Sequence, residues 1–157
     1  MTDLKFYTNP QSRGQIVRWM LEEVGQPYDT EILTYDGTLK GDAYRAVNPM
    51  QKIPAIVHDG KVVTEVAAIC HYLADAFPAA GLAPPLGQRA DYYRWTFFAS
   101  GPIEAAFTNK SAGWELDAGK QRMFAAMAAS STRSTRSRLR SPANSLSPGT
   151  NSAPPTS

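Results

Sequence analysis

Over the first 77 positions the apolar residues fall into short runs and helical stripes, parted by polar, turn-forming stretches. Leu4, Phe6 and Tyr7 form a run closed by Thr8-Asn9-Pro10, the mark of a strand entering a loop. Ile16, Val17, Met20, Leu21 and Val24 then recur at helical spacing, and Gly25 supplies the stop. Ser12 stands just ahead of that stripe, where a hydroxyl can cap free backbone N–H groups. Residues 28–33 predict a second, weaker strand, and 35–48 are polar and turn-rich with one short helix near Asp42–Val47. Pro54-Ala55-Ile56-Val57 and Lys61-Val62-Val63 flank His58-Asp59-Gly60 and read as a hairpin closed by Asp59-Gly60. Thr64 is placed to cap a further helix whose apolar face is Val66, Ile69, Cys70, Leu73 and Phe77, ended by Pro78.

The predicted order is βαβ-α-ββα. A strand, helix and strand pack as a right-handed crossover with parallel strands, whereas a two-residue hairpin is antiparallel. The result is a mixed four-stranded sheet with helices on its faces over residues 1–77, the thioredoxin-like α/β arrangement, although the order alone permits other α/β folds. Residues 78–87, with Pro84-Pro85, Gly81 and Gly87, read as a linker. A new helical pattern starts near Gln88 and carries Tyr92, Trp95, Phe98, Ala99, Ile103, Ala106 and Phe107, with Gly101-Pro102 set to kink it. One helix cannot bury so aromatic a stripe alone, so 88–127 reads as a partial all-helical domain, its only other helical stretch being 119–129.

Charge and composition then divide the chain. Residues 1–117 hold 10 Lys/Arg against 14 Asp/Glu, and residues 118–157 hold six basic residues and no acidic one. From Ala128 onward 17 of 30 residues are Ser, Thr or Pro, with Leu139 and Leu146 the only large apolar ones. Such a segment buries too little apolar surface to offset its ordering entropy, which predicts a disordered tail over 128–157. The arginines from Arg133 to Arg140 raise the idea of a nucleic-acid or anionic-surface partner, but no aromatic is interleaved and no motif surrounds them. The one cysteine excludes an intramolecular disulfide framework and any multi-cysteine metal site, and fits a reducing compartment. Residues 1–15 lack the pattern of a secretory signal and no window approaches ~18 apolar residues, so a cytoplasmic protein with no membrane partner is expected.

Several pieces together carry a family resemblance over roughly the first 124 residues. They are Leu4-Lys5-Phe6-Tyr7 with Ser12-Arg13-Gly14, Val17-Arg18-Trp19-Met20-Leu21-Glu22-Glu23 with Gly25, and Asn48-Pro49-Met50-Gln51-Lys52-Ile53-Pro54-Ala55 with Asp59-Gly60. Thr64-Glu65-Val66-Ala67-Ala68-Ile69 with Tyr72-Leu73 completes the set. The chain resembles the cytosolic glutathione S-transferase superfamily of bacterial type. That resemblance implies a glutathione-binding thioredoxin-like domain and a helical domain that shapes a pocket for an electrophile. It also implies a detoxifying transferase that is commonly a homodimer and takes glutathione as co-substrate with no other cofactor. The departure is in the helical domain, which keeps its first helix and part of a second before Ser/Arg/Pro sequence takes over. A glutathione-binding or interaction protein with impaired catalysis is therefore the alternative.

The resemblance implies a cis peptide bond before Pro54, which would turn the N–H and C=O of Ile53 toward the tripeptide. Glu65 and Val66 open a helix whose N-terminus favours the γ-glutamyl carboxylate, with Glu65 available to the ligand's ammonium. Lys52 can neutralise the glycyl carboxylate, with Gln51 beside it. A hydroxyl donor to the sulfur would favour the thiolate, and three residues compete for that part: Ser12 at a helix start, Tyr7 at the end of the first strand, and Asn9. Cys70 reads as inert packing. His58, at the hairpin turn, and His71, on the outer side of its helix, have no partner at metal-ligand spacing. Trp19 and the Tyr92 to Phe107 aromatics read as core or domain interface, with Tyr92, Phe98 or Phe107 within reach of an apolar substrate.

Overall fold

The structure, a computed structural model, describes residues 3–114. Strand β1 (Leu4–Thr8) leads into α1 (Gly14–Val24) and β2 (Asp29–Ile32); a 3-10 turn (Thr38–Lys40) and α2 (Asp42–Val47) follow. The hairpin β3 (Ala55–His58) and β4 (Lys61–Thr64) then feeds α3 (Val66–Ala76). The sheet order is β2-β1-β3-β4, with β1 parallel to β2 and antiparallel to β3, and β3 antiparallel to β4. This is the mixed thioredoxin-like sheet expected from the element order.

Both faces of the sheet are covered, which explains why β1 is buried along almost its whole length. Successive side chains of a strand point to opposite faces. Leu4 and Phe6 join Val17, Leu21 and Val24 of α1, Ile56 of β3, and Ile69 and Leu73 of α3 in one core. Tyr7, one position on, joins Leu33, Leu39, Tyr44 and Ala55 in a second core on the α2 side. The register agrees, since Phe6 pairs with Ile56 and Tyr7 with Ala55. Each fully buried large apolar side chain contributes on the order of 1.5–3 kcal/mol. The hairpin turn uses Asp59 and Gly60, both at positive φ (49° and 75°), the backbone that matches the twist of paired strands.

Several expectations need correction. Thr64 does not cap α3: it is the last ladder residue of β4, opposite Ala55, and Glu65 occupies the N-cap position instead. On α1 the buried line is Gly14, Val17, Leu21 and Val24; Ile16 and Trp19 lie off it, and Trp19 is 70% exposed rather than core. His58 is not in the turn but ends β3, buried, with Nδ1 2.8 Å from the Tyr72 hydroxyl. His71 is not on an outer face: its ring packs against Tyr92 and stacks on Tyr93.

The stretch 78–87 contains the 3-10 turn Pro78–Ala80 and runs into another, Leu86–Gln88. Helix α4 (Ala90–Phe98) passes through a π-helical segment, Ala99–Ile103, into α5 (Glu104–Ala112). Gly101 and Pro102 lie in that segment, as their helix-breaking character demands. Here too the expected core is corrected: Trp95, Phe98, Ile103 and Phe107 are exposed, and Tyr92 is half-buried. The rest of the predicted helical domain to residue 127, and the predicted tail 128–157, lie outside the described residues. Among the described residues no helix is long and apolar enough to cross a membrane.

Candidate functional site

The topology brings the expected site residues to one end of the sheet. Strand β1 ends at Thr8, its antiparallel partner β3 begins at Ala55, and β4 ends at Thr64, so Tyr7, Ala55 and Thr64 form a row across the sheet. One residue beyond that row lie Thr8, Pro54 and Glu65. The chain leaves this end into α1 on one side and α3 on the other, so the N-termini of both helices stand beside it.

The loop before β3 is tightly held. Gln51 has a positive φ (51°), and the Ile53–Pro54 bond is cis. The Lys52 carbonyl accepts the Tyr44 hydroxyl at 2.6 Å and Asn48 Nδ2 at 2.8 Å. The Met50 N–H donates to Asn48 Oδ1 at 3.1 Å, and the Gln51 N–H donates to the Asn48 carbonyl at 2.8 Å. No described residue hydrogen-bonds the backbone N–H or C=O of Ile53, which leaves an open main-chain edge. The Gln51 side-chain nitrogen is buried without a partner among the described residues, the costly condition that a polar ligand relieves.

At the other wall, the loop 9–13 is built by its own side chains. The Ser12 hydroxyl donates to the Asn9 carbonyl at 2.7 Å and accepts the Gly14 N–H at 3.0 Å, so it does serve the start of α1. Asn9 is engaged at both ends of its amide, with Nδ2 donating to the Leu33 carbonyl and Oδ1 accepting the Gln11 N–H, both at 2.8 Å. A Cβ at Gly14 would collide with Thr8 Oγ1, so only glycine lets the chain turn into α1 this close to β1.

Ser12, Gln51, Lys52 and Ile53 line one groove of about 350 Å³, closed by Gln11, Arg13, Tyr35, Leu39 and Lys40. Tyr35 and Lys40 were missed in the sequence, because 35–48 carries no spacing signal and reaches the site only through the 3-10 turn after β2. Tyr7 is not in this groove; it is 8% exposed and packs against Tyr44, with ring centroids 5.4 Å apart. Asn9 lines a separate groove of about 550 Å³ between α1 and β2. The smaller groove is the better site, because its polar groups converge from three separate segments. Glu65 (φ 68°) is exposed at the start of α3, outside that groove, with Val66 next to it. A non-glycine residue in that backbone region is strained, a condition that clusters at ligand-binding positions.

Arg13, on the groove's rim, is drawn to α5 by Glu104 at 2.7 Å and Thr108 Oγ1 at 3.4 Å. The positive charges left to meet an anion in the groove are Lys40 and Lys52, both exposed. Burial pushes the Cys70 thiol above its ordinary range, which keeps it protonated and unreactive. Among the described residues no cluster of His, Cys, Asp or Glu could hold a metal ion.

The mixed sheet is thioredoxin-like, with a helix N-terminus beside the Ile53 main chain, and comparison with known proteins shows what the chain is similar to. The family model for the glutathione S-transferase N-terminal domain matches residues 12–76. LigF of Sphingobium sp. is 46% identical over 59 residues, 35% of this chain and 23% of that protein. Glutathione S-transferase GST-4.5 of Xanthomonas campestris is 28% identical over 106 residues, 66% of this chain and 52% of that one. Among solved structures, a glutathione transferase homologue from Sulfitobacter with bound glutathione superimposes with a TM-score of 0.62 at 25% identity, covering 83% of this chain and 68% of that one. A glutathione transferase from Methylococcus capsulatus gives 0.61 at 32% identity, over 73% and 57% of the two chains. Residues 12–76 thus match the glutathione S-transferase N-terminal domain, and the chain is similar to cytosolic glutathione transferases. It spans 23% and 52% of the length of the two curated relatives named above.

Proposed function

We propose that the chain binds glutathione in the groove before Pro54 and serves as a glutathione transferase. The observation that carries this reading is the Ile53 main chain left unpaired among the described residues, in one groove with Ser12, Gln51 and Lys52. Main-chain groups of the tripeptide pair with the N–H and C=O of Ile53, as an added strand pairs with a sheet edge. The γ-glutamyl carboxylate meets the N-terminus of α3 at Val66, where free N–H groups and the helix dipole favour an anion, and Glu65 takes the ammonium. Lys52, with Lys40 beside it, neutralises the glycyl carboxylate, and the buried amide of Gln51 gains a partner.

Ser12 is the thiolate-stabilising group in this reading. Its oxygen accepts from Gly14 and its O–H donates to the Asn9 carbonyl, so the O–H must turn away from Asn9 to reach the sulfur. The Asn9 carbonyl it would leave keeps the Ser12 N–H at 2.9 Å, so the turn costs only about 0.5–1.5 kcal/mol, one ordinary hydrogen bond. Donation to sulfur lowers the thiol pKa and raises the thiolate fraction near neutral pH. The sulfur then attacks an electrophilic carbon: a C–S bond forms, the leaving group departs with its electron pair, and the thiol proton goes to solvent. Acceleration comes from thiolate stabilisation and from holding the two reactants together. Detoxification of apolar electrophiles is the corresponding physiological role.

Calorimetry of the full chain with glutathione, followed by turnover of a generic aromatic halide, tests this. Heat of binding and turnover are expected. Absence of heat with folded protein would overturn the reading, and heat without turnover would select the non-catalytic binding protein. That second reading rests on the exposed Trp95, Phe98 and Phe107, which the described helices leave unenclosed.

A further inference from the structure

We infer that Tyr44 and Asn48 are positioning residues that aim the Ile53 N–H into the binding groove by holding the opposite end of the same peptide unit. The inference rests on the glutathione-binding reading for its ligand, but its geometry stands on the chain alone. The Lys52 carbonyl and the Ile53 N–H belong to one planar group. Only the Ile53–Pro54 bond is cis among the described residues, so the Lys52–Ile53 peptide is trans and its N–H points away from its C=O. Both acceptor positions of that carbonyl are filled, by the Tyr44 hydroxyl at 2.6 Å and Asn48 Nδ2 at 2.8 Å. Two donors on one oxygen fix the direction of the peptide plane, and with it that of the N–H of Ile53, a residue that lines the groove.

The clamp is itself anchored. Tyr44 is 2% exposed in the second core, with its ring against Tyr7. Asn48 is buried, and its own N–H donates to the Tyr44 carbonyl at 2.8 Å. Burial also raises the Tyr44 hydroxyl above its usual range, so it remains a donor across neutral pH. Tyr7 thereby has a structural part, supporting the ring that carries the clamp. The loop needs such holding because Gln51 sits at positive φ, a conformation a free loop would leave.

The test is Tyr44→Phe in the full chain, which keeps the ring and removes one donor. Its readouts are the ¹⁵N order parameters of Lys52 and Ile53 without ligand, and glutathione affinity by calorimetry. The expected result is a lower Ile53 order parameter, an unchanged value at Ile56 in the core of β3, and affinity weakened about three- to tenfold, the worth of one hydrogen bond. A general loss of stability would not single out Ile53. Asn48→Asp, which keeps the acceptor for Met50 and removes the amide donor, is the second variant should Tyr44→Phe fold poorly, and the same signature is expected. Unchanged Ile53 order parameters in the folded variant overturn the inference whatever glutathione does. A reduced order parameter in a protein whose wild type gives no heat with glutathione upholds the clamp and overturns the ligand assignment instead.

Discussion

Ser12, Asn9 and Tyr7 carry side chains that all offer a hydrogen bond, and they differ in whether that bond can be redirected into the groove. Asn9 spends both ends of its amide on Leu33 and Gln11. Tyr7 is enclosed by the second core and lines neither groove. Of the three, only Ser12 lines the groove, where its O–H can rotate away from the Asn9 carbonyl. Ser12→Ala should therefore lower turnover of an aromatic halide by about 10²-fold, the scale for loss of one donor to a developing or stabilised anion, with glutathione affinity nearly unchanged. Tyr7→Phe should leave turnover near that of the wild type. Steady-state kinetics on the two variants checks this, and the reverse ranking would return the role to Tyr7. The sequence contained all three residues, but spacing alone could not rank them, because what separates them is burial and prior hydrogen bonding.

At the scale of elements, α3 and α4 are joined by a small polar and aromatic contact. Arg89 reaches Asp75 of α3 at 2.8 Å and the Pro84 carbonyl at 2.8 Å, while His71 lies against Tyr92 and Tyr93. The His71 Nε2 is buried without a partner among the described residues. Burial is the largest cause that pushes its pKa below the ordinary 6.5; Asp75 opposes the shift and Arg89 adds to it. The neutral ring is thus the form that fits the folded joint. Below about pH 6.5 the unfolded chain takes up the proton before the folded one does. The stability this joint contributes is full above that pH and is lost as the pH falls through the folded value. Urea unfolding midpoints should accordingly drop from pH 7.5 to pH 5, and His71→Phe, which keeps an aromatic ring in the stack, should reduce that drop. An equal drop in both proteins would remove His71 from the account.

For the molecule as described, a sheet with two covered faces supports helices that leave a row of large apolar side chains in water. Trp95, Phe97, Phe98, Ile103, Phe107 and Trp114 are all exposed, Phe97 and Phe107 each at 69%. Scattered exposed apolar residues are ordinary, whereas a concentration of them on consecutive helices signals an interaction surface or an association hazard. The full chain should enhance the fluorescence of an apolar dye such as ANS, and the double change Phe97→Ser with Phe107→Ser should reduce that enhancement. Equal dye binding in both would place the apolar surface elsewhere.

Element boundaries in the first 77 residues were legible from periodicity and turn chemistry. Helix α1 covers the stripe from Ile16 to Val24 and the hairpin turns at Asp59-Gly60, because a 3.6-residue stripe and a turn that wants positive φ leave a local signature. The cradle before Pro54 was legible only through resemblance, and the helical region misled: the Tyr92 to Phe107 stripe promised burial that the described helices do not provide. What the chain's own order of residues determined was which segments are strands and helices, since propensity and amphipathic period act over a few neighbours. What tertiary structure alone decided was which of the three candidates lines the groove, which carbonyl is clamped, and that Lys40 and Tyr35 reach the same groove as Ser12 and Ile53. Those facts depend on contacts between residues far apart in the chain, and a local pattern carries no record of such meetings.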